Sequence, residues 1–297
     1  MTPREQGFLL LTGFLGDPDR KPLTIPQLRE LTLRVRAMKK PVQSRDLTYE
    51  DLISIGCEHG GALRILQLLS EQDKLDRYLE GGRISGCYPV TRVSRQYPAR
   101  LWDTLGPEAP GALWYQGDLS LLQMPAVSLV GSRDLLPQNE LFAWEVGKQA
   151  ARQGYVLISG NARGADRTAQ DSCLAHGGKV ISVVADTLSS HRESKDILYL
   201  SEDGYDQPFS SHRALRRNRI IHALGERVFV AQCRLGRGGT WQGTQQSLSK
   251  QWSPVFCCDD GSDAVRELAQ RGATLITKED LMDLTALSDE NTSLFNA

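Results

Sequence analysis

Ser159-Gly160-Asn161-Ala162-Arg163-Gly164-Ala165-Asp166 joins an apolar strand-like run at 155–158 to a helix-like segment at 166–176. In an open parallel α/β sheet, a loop leaving the carboxyl end of a strand presents free backbone N–H groups at the positive end of the next helix. A guanidinium beside those groups adds a bidentate grip on phosphate. Many glycine-rich turns of this kind bind nothing, so the reading depends on company. Val130-Gly131-Ser132-Arg133 follows a strand-like run at 126–130, and Arg216-Arg217-Asn218-Arg219 precedes Ile220-Ile221. Gly236-Arg237-Gly238-Gly239-Thr240 follows another run at 228–232. Three of the four elements leave strands, so they are expected to gather on one rim of one sheet.

From Pro125 onward, apolar strand-like runs near 126–130, 155–159, 179–184, 197–201, 228–232, 254–258 and 273–276 alternate with helical patterns of about ten residues. Such alternation predicts βαβ units and a Rossmann-like, doubly wound, mostly parallel α/β sheet. The runs at 180–184 and 228–230 are continuously apolar, as strands covered on both faces require. Residues 5–80 instead carry helical spacing, with Gly56 and the Gly60-Gly61 pair read as breaks between the last two helices. The expected organisation is a small all-helical domain over 1–82, similar to sterile-alpha-motif or helix-hairpin-helix modules, then an extended Rossmann-like domain over 83–285 that carries the phosphate-type loops. A polar tail follows at 286–297. Residues 84–125 read as strand and loop leading into the sheet.

At 297 residues with 40% apolar residues, the chain suffices for one sizeable α/β domain and a smaller one. A formal charge of −1 excludes a uniformly basic coat, but the charge is unevenly spread. Seven arginines (213, 216, 217, 219, 227, 234 and 237) lie between Pro208 and Leu248 against the single acid Glu226. A run of this kind is often a solvated helix face; beside glycine-rich phosphate-type loops it reads as a nucleic-acid footprint. The six cysteines (57, 87, 173, 233, 257 and 258) lack CxxC spacing and read as reduced core thiols. No Cys/His cluster or HExxH occurs, so neither metal nor cofactor is expected. No secretory leader and no apolar run of membrane-spanning length is seen, which predicts a cytoplasmic protein.

The order VGSR, SGNARGAD, RRNRII and a late glycine-rich loop resembles the DNA-processing protein A (DprA/Smf) family, whose usual pattern is GSR or GTR, SGLARGID, RNRII and GSLxTA. The chain departs where Asn161 replaces Leu, Ala165 replaces Ile, and Arg237-Gly238-Gly239-Thr240-Trp241 replaces Ser-Gly-Ser-Leu. It therefore resembles a divergent member, without an obvious carboxyl-terminal winged-helix domain. Motif and resemblance together nominate Gly131, Ser132, Arg133, Ser159, Gly160, Arg163, Gly164, Arg216, Arg217, Asn218, Arg219, Arg237, Gly238, Gly239 and Thr240 as the DNA- and phosphate-binding set. Arg133 alternatively forms a salt bridge with Asp134 or with a neighbouring loop, and Asp166 caps the helix that follows it. Trp241 or Phe209 is a candidate base-stacking platform, against the commoner role of such residues in packing.

No GxSxG, HExxH or GxxxxGK[ST] motif is found, and no catalysis is expected. The segment from Gly238 to Gln246 is similar to the phosphate loop of Lonely Guy-type phosphoribohydrolases. Gln246 stands where those enzymes carry a catalytic glutamate. The resemblance thus implies a non-enzymatic homodimer that holds single-stranded DNA independently of sequence, protects it, and helps load a RecA-type recombinase in recombination or DNA uptake. The alternative is a sensor, or a hydrolase, of a nucleotide derivative.

Overall fold

Thr2 and Thr48 each open a helix by a reciprocal cap: Thr2 Oγ1 accepts the Glu5 N–H at 3.3 Å while the Glu5 carboxylate accepts the Thr2 N–H at 2.6 Å, and Thr48 with Asp51 repeats the exchange. Two donors otherwise orphaned at a helix start are thereby satisfied. The computed structural model describes residues 1–38 and 47–287, so residues 288–297 of the expected polar tail lie outside the described residues. The described chain forms two compact units.

The first unit comprises Met1–Gln116 with Thr187–Arg192 and Ser201–Pro208. Its helices are α1 (Pro3–Thr12), α2 (Ile25–Ala37), α3 (Tyr49–Ser54), α4 (His59–Ser70) and α5 (Gln72–Ile84). Leu9, Leu10, Leu52 and Leu75 are fully buried among them. Gly56, at φ +84°, ends α3 as expected, but Gly60 and Gly61 are no break. They lie in the first turn of α4, where N–H groups have no intrahelical acceptor and glycine costs little. The stretch read as strand and loop holds strands β1 (Tyr88–Thr91) and β2 (Ala112–Gln116), paired antiparallel, with an unforeseen helix α6 (Ala99–Leu105) between them. Seven residues beginning directly after Tyr97-Pro98 are too few to show helical periodicity.

The second unit comprises Gly117–Asp186, Glu193–Leu200 and the chain from Phe209 onward. Its strands are β3 (Ala126–Val130), β4 (Val156–Ser159), β5 (Val180–Val183), β6 (Ile197–Ser201), β7 (Val228–Val230), β8 (Val255–Cys258) and β9 (Thr274–Ile276). They lie in the order β6-β5-β4-β3-β7-β8-β9, and every pair is parallel. Helices α7 (Pro137–Arg152), α8 (Ala165–Ala175), α9 (Ser211–Leu224), α10 (Gly238–Lys250) and α11 (Asp263–Gln270) connect or follow them. β3 through β5 and β7 and β8 are buried along their whole lengths, as helices on both faces demand. The sheet is the doubly wound, mostly parallel one that the alternation predicts. Its first strand, β3, lies between β4 and β7, so the strand order reverses there, and the loops after these three strands meet at that reversal.

Among the cysteines, 87, 173, 233, 257 and 258 are buried thiols and Cys57 is half-buried. None of the described helices is long and apolar enough to cross a membrane. His222 on α9 is fully buried, neither ring nitrogen has a hydrogen-bond partner among the described residues, and burial lowers its pKa from 6.5 to about 4. The unfolded chain takes up this proton near pH 6.5, whereas the folded chain resists until about pH 4. Stability is therefore expected to fall as pH drops from about 6.5 and to level off below about 4, a loss of about 3 kcal/mol at about 1.4 kcal/mol per pH unit. Urea unfolding across that range checks this, and His222→Leu should flatten the dependence.

Candidate nucleic-acid interface

The carboxyl ends of β3, β4 and β7 hold their loops together through backbone contacts. Ala165 N–H donates to Ser132 O at 3.1 Å, and Ser132 N–H to Gln232 O at 2.9 Å. Thr240 Oγ1 donates to Gly131 O at 3.0 Å, and Asn218 Nδ2 to Gly239 O at 3.0 Å, tying the start of α10 to both the β3 loop and α9. Gly164, at φ +86°, lies against the Ser132 and Arg133 carbonyls, where a Cβ would collide with both oxygens. Only glycine meets both demands. Asn161, standing where the family pattern has Leu, adopts φ +60°, a left-handed conformation that asparagine tolerates better than branched residues.

Two adjoining clefts open on this rim, of about 410 and 300 Å³, and they share Arg133, Ala162, Ala214 and Arg217. The first is also lined by Gly131, Ser132, Asn218, Arg237, Gly238, Gly239 and Thr240, together with Asp134, Asp166 and Arg234. The first turn of α10 faces it, and the side chain of its cap residue, Arg237, makes no capping hydrogen bond among the described residues. Uncapped N–H groups beside guanidinium groups form an anion-binding arrangement. The second cleft is lined by Gly160, Asn161, Arg163, Asp186 and Phe209.

Arg217 forms the floor common to both. Its guanidinium crosses the bare backbone of Gly160, where any Cβ would collide with it. Nη1 donates to Val183 O at 2.7 Å, and Nη2 lies 3.9 Å from Asp166 Oδ2. Burial pushes the Asp166 carboxyl above its ordinary pKa, against the pull of Arg217 and of the Ala162 N–H, which donates to Oδ2 at 3.2 Å. Burial likewise works against the charge on Arg217, which its two acidic neighbours, Asp166 and Asp186, support. The pair is a buried charge set within a mostly structural frame. The outer arginines differ. Arg163 is 78% exposed and meets Asp134 at 2.6 Å, while Arg133 is exposed and its side chain forms no hydrogen bond or ion pair among the described residues.

Several sequence expectations change. Ser159 is wholly buried at the end of β4 and Gly164 is packed against the β3 loop, so neither lines a cleft. Arg219 is buried, and Arg216, like it, lies off both clefts. On α9 the cleft is lined by Ser211, Ala214, Leu215, Arg217, Asn218 and Ile221, and helical spacing turns 216 and 219 away from it. Asp166 is no helix cap: Gly164 holds the cap position and Asp166 bridges the loop from inside. Arg133 does not pair with Asp134; Arg163 and Arg234 do. Trp241, only 5% exposed, offers no face for stacking, whereas Phe209 is 54% exposed at the second cleft. Gln246 lies exposed on α10, outside both clefts. Among residues not nominated, Arg234 had a signal, since it follows a strand as the other rim residues do. Asp134 had a signal only as a neighbour of Arg133, and Asp186 had none.

Fold and site define a doubly wound α/β protein with an arginine-lined cleft at its switch point. The model of the family described as DNA recombination-mediator protein A matches residues 89–286, and the chain belongs to that family. It is 33% identical to the DNA processing protein DprA of Streptococcus pneumoniae over 186 residues, which cover 57% of this chain and 64% of that relative, less than two thirds of its length. The X-ray structure of DprA from Streptococcus pneumoniae superposes with a TM-score of 0.74 at 25% identity, covering 97% of this chain and 99% of that one. DNA processing protein A from Helicobacter pylori matches with a TM-score of 0.55 at 23% identity, over 70% of this chain and 95% of that one.

Proposed function

We propose that this chain is a DprA-type, non-catalytic protein that holds single-stranded DNA by its phosphates along the rim of the second unit. The observation that carries this reading is the convergence of Arg133, Arg163, Arg217, Arg234 and Arg237 with the open first turn of α10 on two continuous clefts. Phosphate contacts of this kind give affinity without base identity. Phe209 supplies a stacking face for bases that leave the backbone track. The Helicobacter pylori relative was solved for its single-stranded DNA binding mode, which agrees with this reading. In the cell the protein acts in the cytoplasm as a homodimer, protects the strand, and assists loading of a RecA-type recombinase during recombination or DNA uptake.

A single nucleotide would also fit the first cleft, so a sensor of a nucleotide derivative is the competing reading. Binding of labelled oligothymidylates of graded length separates the two by fluorescence anisotropy. Affinity is expected to rise steadily from one nucleotide to about ten, a typical site size for one strand-binding module. Saturation at one nucleotide, with no gain from further length, would assign the clefts to a small ligand.

A further inference from the structure

Asp134 is approached by two outer arginines of the rim together. Its Oδ1 accepts from Arg163 Nη2 at 2.6 Å, and its Oδ2 lies 3.8 Å from Arg234 Nη2. The two arginines come from different loops, after β4 and after β7, and the carboxylate comes from a third, after β3. One oxygen for each of two guanidinium groups is also the disposition of the two non-bridging oxygens of a phosphodiester.

We propose that Asp134 is a built-in stand-in for a DNA phosphate: it holds the anion position between Arg163 and Arg234 in the unliganded protein, and a strand must displace it to bind there. The inference rests on the strand-binding reading of this rim. All three side chains are largely exposed, at 66% for Asp134, 78% for Arg163 and 69% for Arg234. Exposed ion pairs contribute little net free energy, so exchange of carboxylate for phosphate is easy. Two anions cannot share the position without like-charge repulsion, so the carboxylate swings out when phosphate enters. In the free protein Asp134 keeps the two guanidinium groups converged; in the complex it is a residual negative charge beside the strand. Its net effect is to lower affinity and to weaken the response to salt.

Asp134→Asn keeps the shape and removes the charge. With a labelled 20-nucleotide oligothymidylate at low salt, this variant is expected to bind about fivefold tighter than wild type, the worth of one exposed charge pair. The plot of log affinity against log salt should steepen by about 0.7, one further neutralised phosphate. Asp171→Asn, which removes an equal charge from an exposed position of α8 outside both clefts, should leave both quantities near wild type. Adding Arg163→Ala and Arg234→Ala to Asp134→Asn should abolish the gain. Wild-type binding with Asp134→Asn equal or weaker would overturn the inference and leave the strand-binding reading standing. An equal gain from Asp171→Asn would reduce the effect to net charge and overturn it too. Absence of strand binding by wild type and variant alike would remove both.

Discussion

Arg217→Met is expected to destabilise the protein by about 3–5 kcal/mol, because it strips the counter-charge from a buried carboxylate. Asp166 is buried, 3.9 Å from Arg217 Nη2, and burial already raises its pKa. The variant also removes the 2.7 Å bond to Val183 O and leaves a gap over Gly160. Urea unfolding measures the loss. The double variant Asp166→Asn with Arg217→Met should recover a large part of it, since removing both members of a buried pair costs far less than orphaning one. Equal stability of Arg217→Met and wild type would show that this arginine belongs to the ligand rather than to the frame.

The outer arginines should respond in the opposite way. Arg133→Ala combined with Arg163→Ala is expected to weaken single-stranded DNA binding by about 30-fold or more at low salt, since each loses a charge-assisted contact to phosphate. Unfolding should hardly change: Arg133 pairs with nothing among the described residues, and the Arg163–Asp134 contact is an exposed one. A variant that unfolds early while binding normally when folded would make the two arginines structural. The contrast with Arg217 divides the arginines of this rim into a buried floor and an exposed grip.

That division was not legible in the sequence. All seven strands of the second unit were, because short apolar runs alternate with helical patterns along the chain. That the three loops share one rim was legible because each leaves a strand of one parallel sheet; that they meet at the reversal at β3 is set by the strand order, which no local pattern encodes. Within RRNR, however, four consecutive polar residues look alike, and their fates differ because a helix turns each by about 100°. Arg217 and Asn218 reach the clefts while Arg219 is buried away from them. Trp241 follows the same logic on α10, packed inward one residue after Thr240 on the rim. Asp134 was visible only as a neighbour of Arg133; its partners lie 29 and 100 positions away in the chain, at Arg163 and Arg234. Side-chain pairings between loops depend on distances that no local pattern encodes.

The central claim is that phosphates of a single strand are held by arginines at the switch point. Its most direct test is the salt dependence of wild-type binding to a 20-nucleotide single strand. Three to five neutralised phosphates predict a straight line of log affinity against log salt with a slope of about −2 to −4, nearly the same for oligothymidylate and for a mixed sequence. Affinity indifferent to salt, or confined to one base sequence, would contradict it.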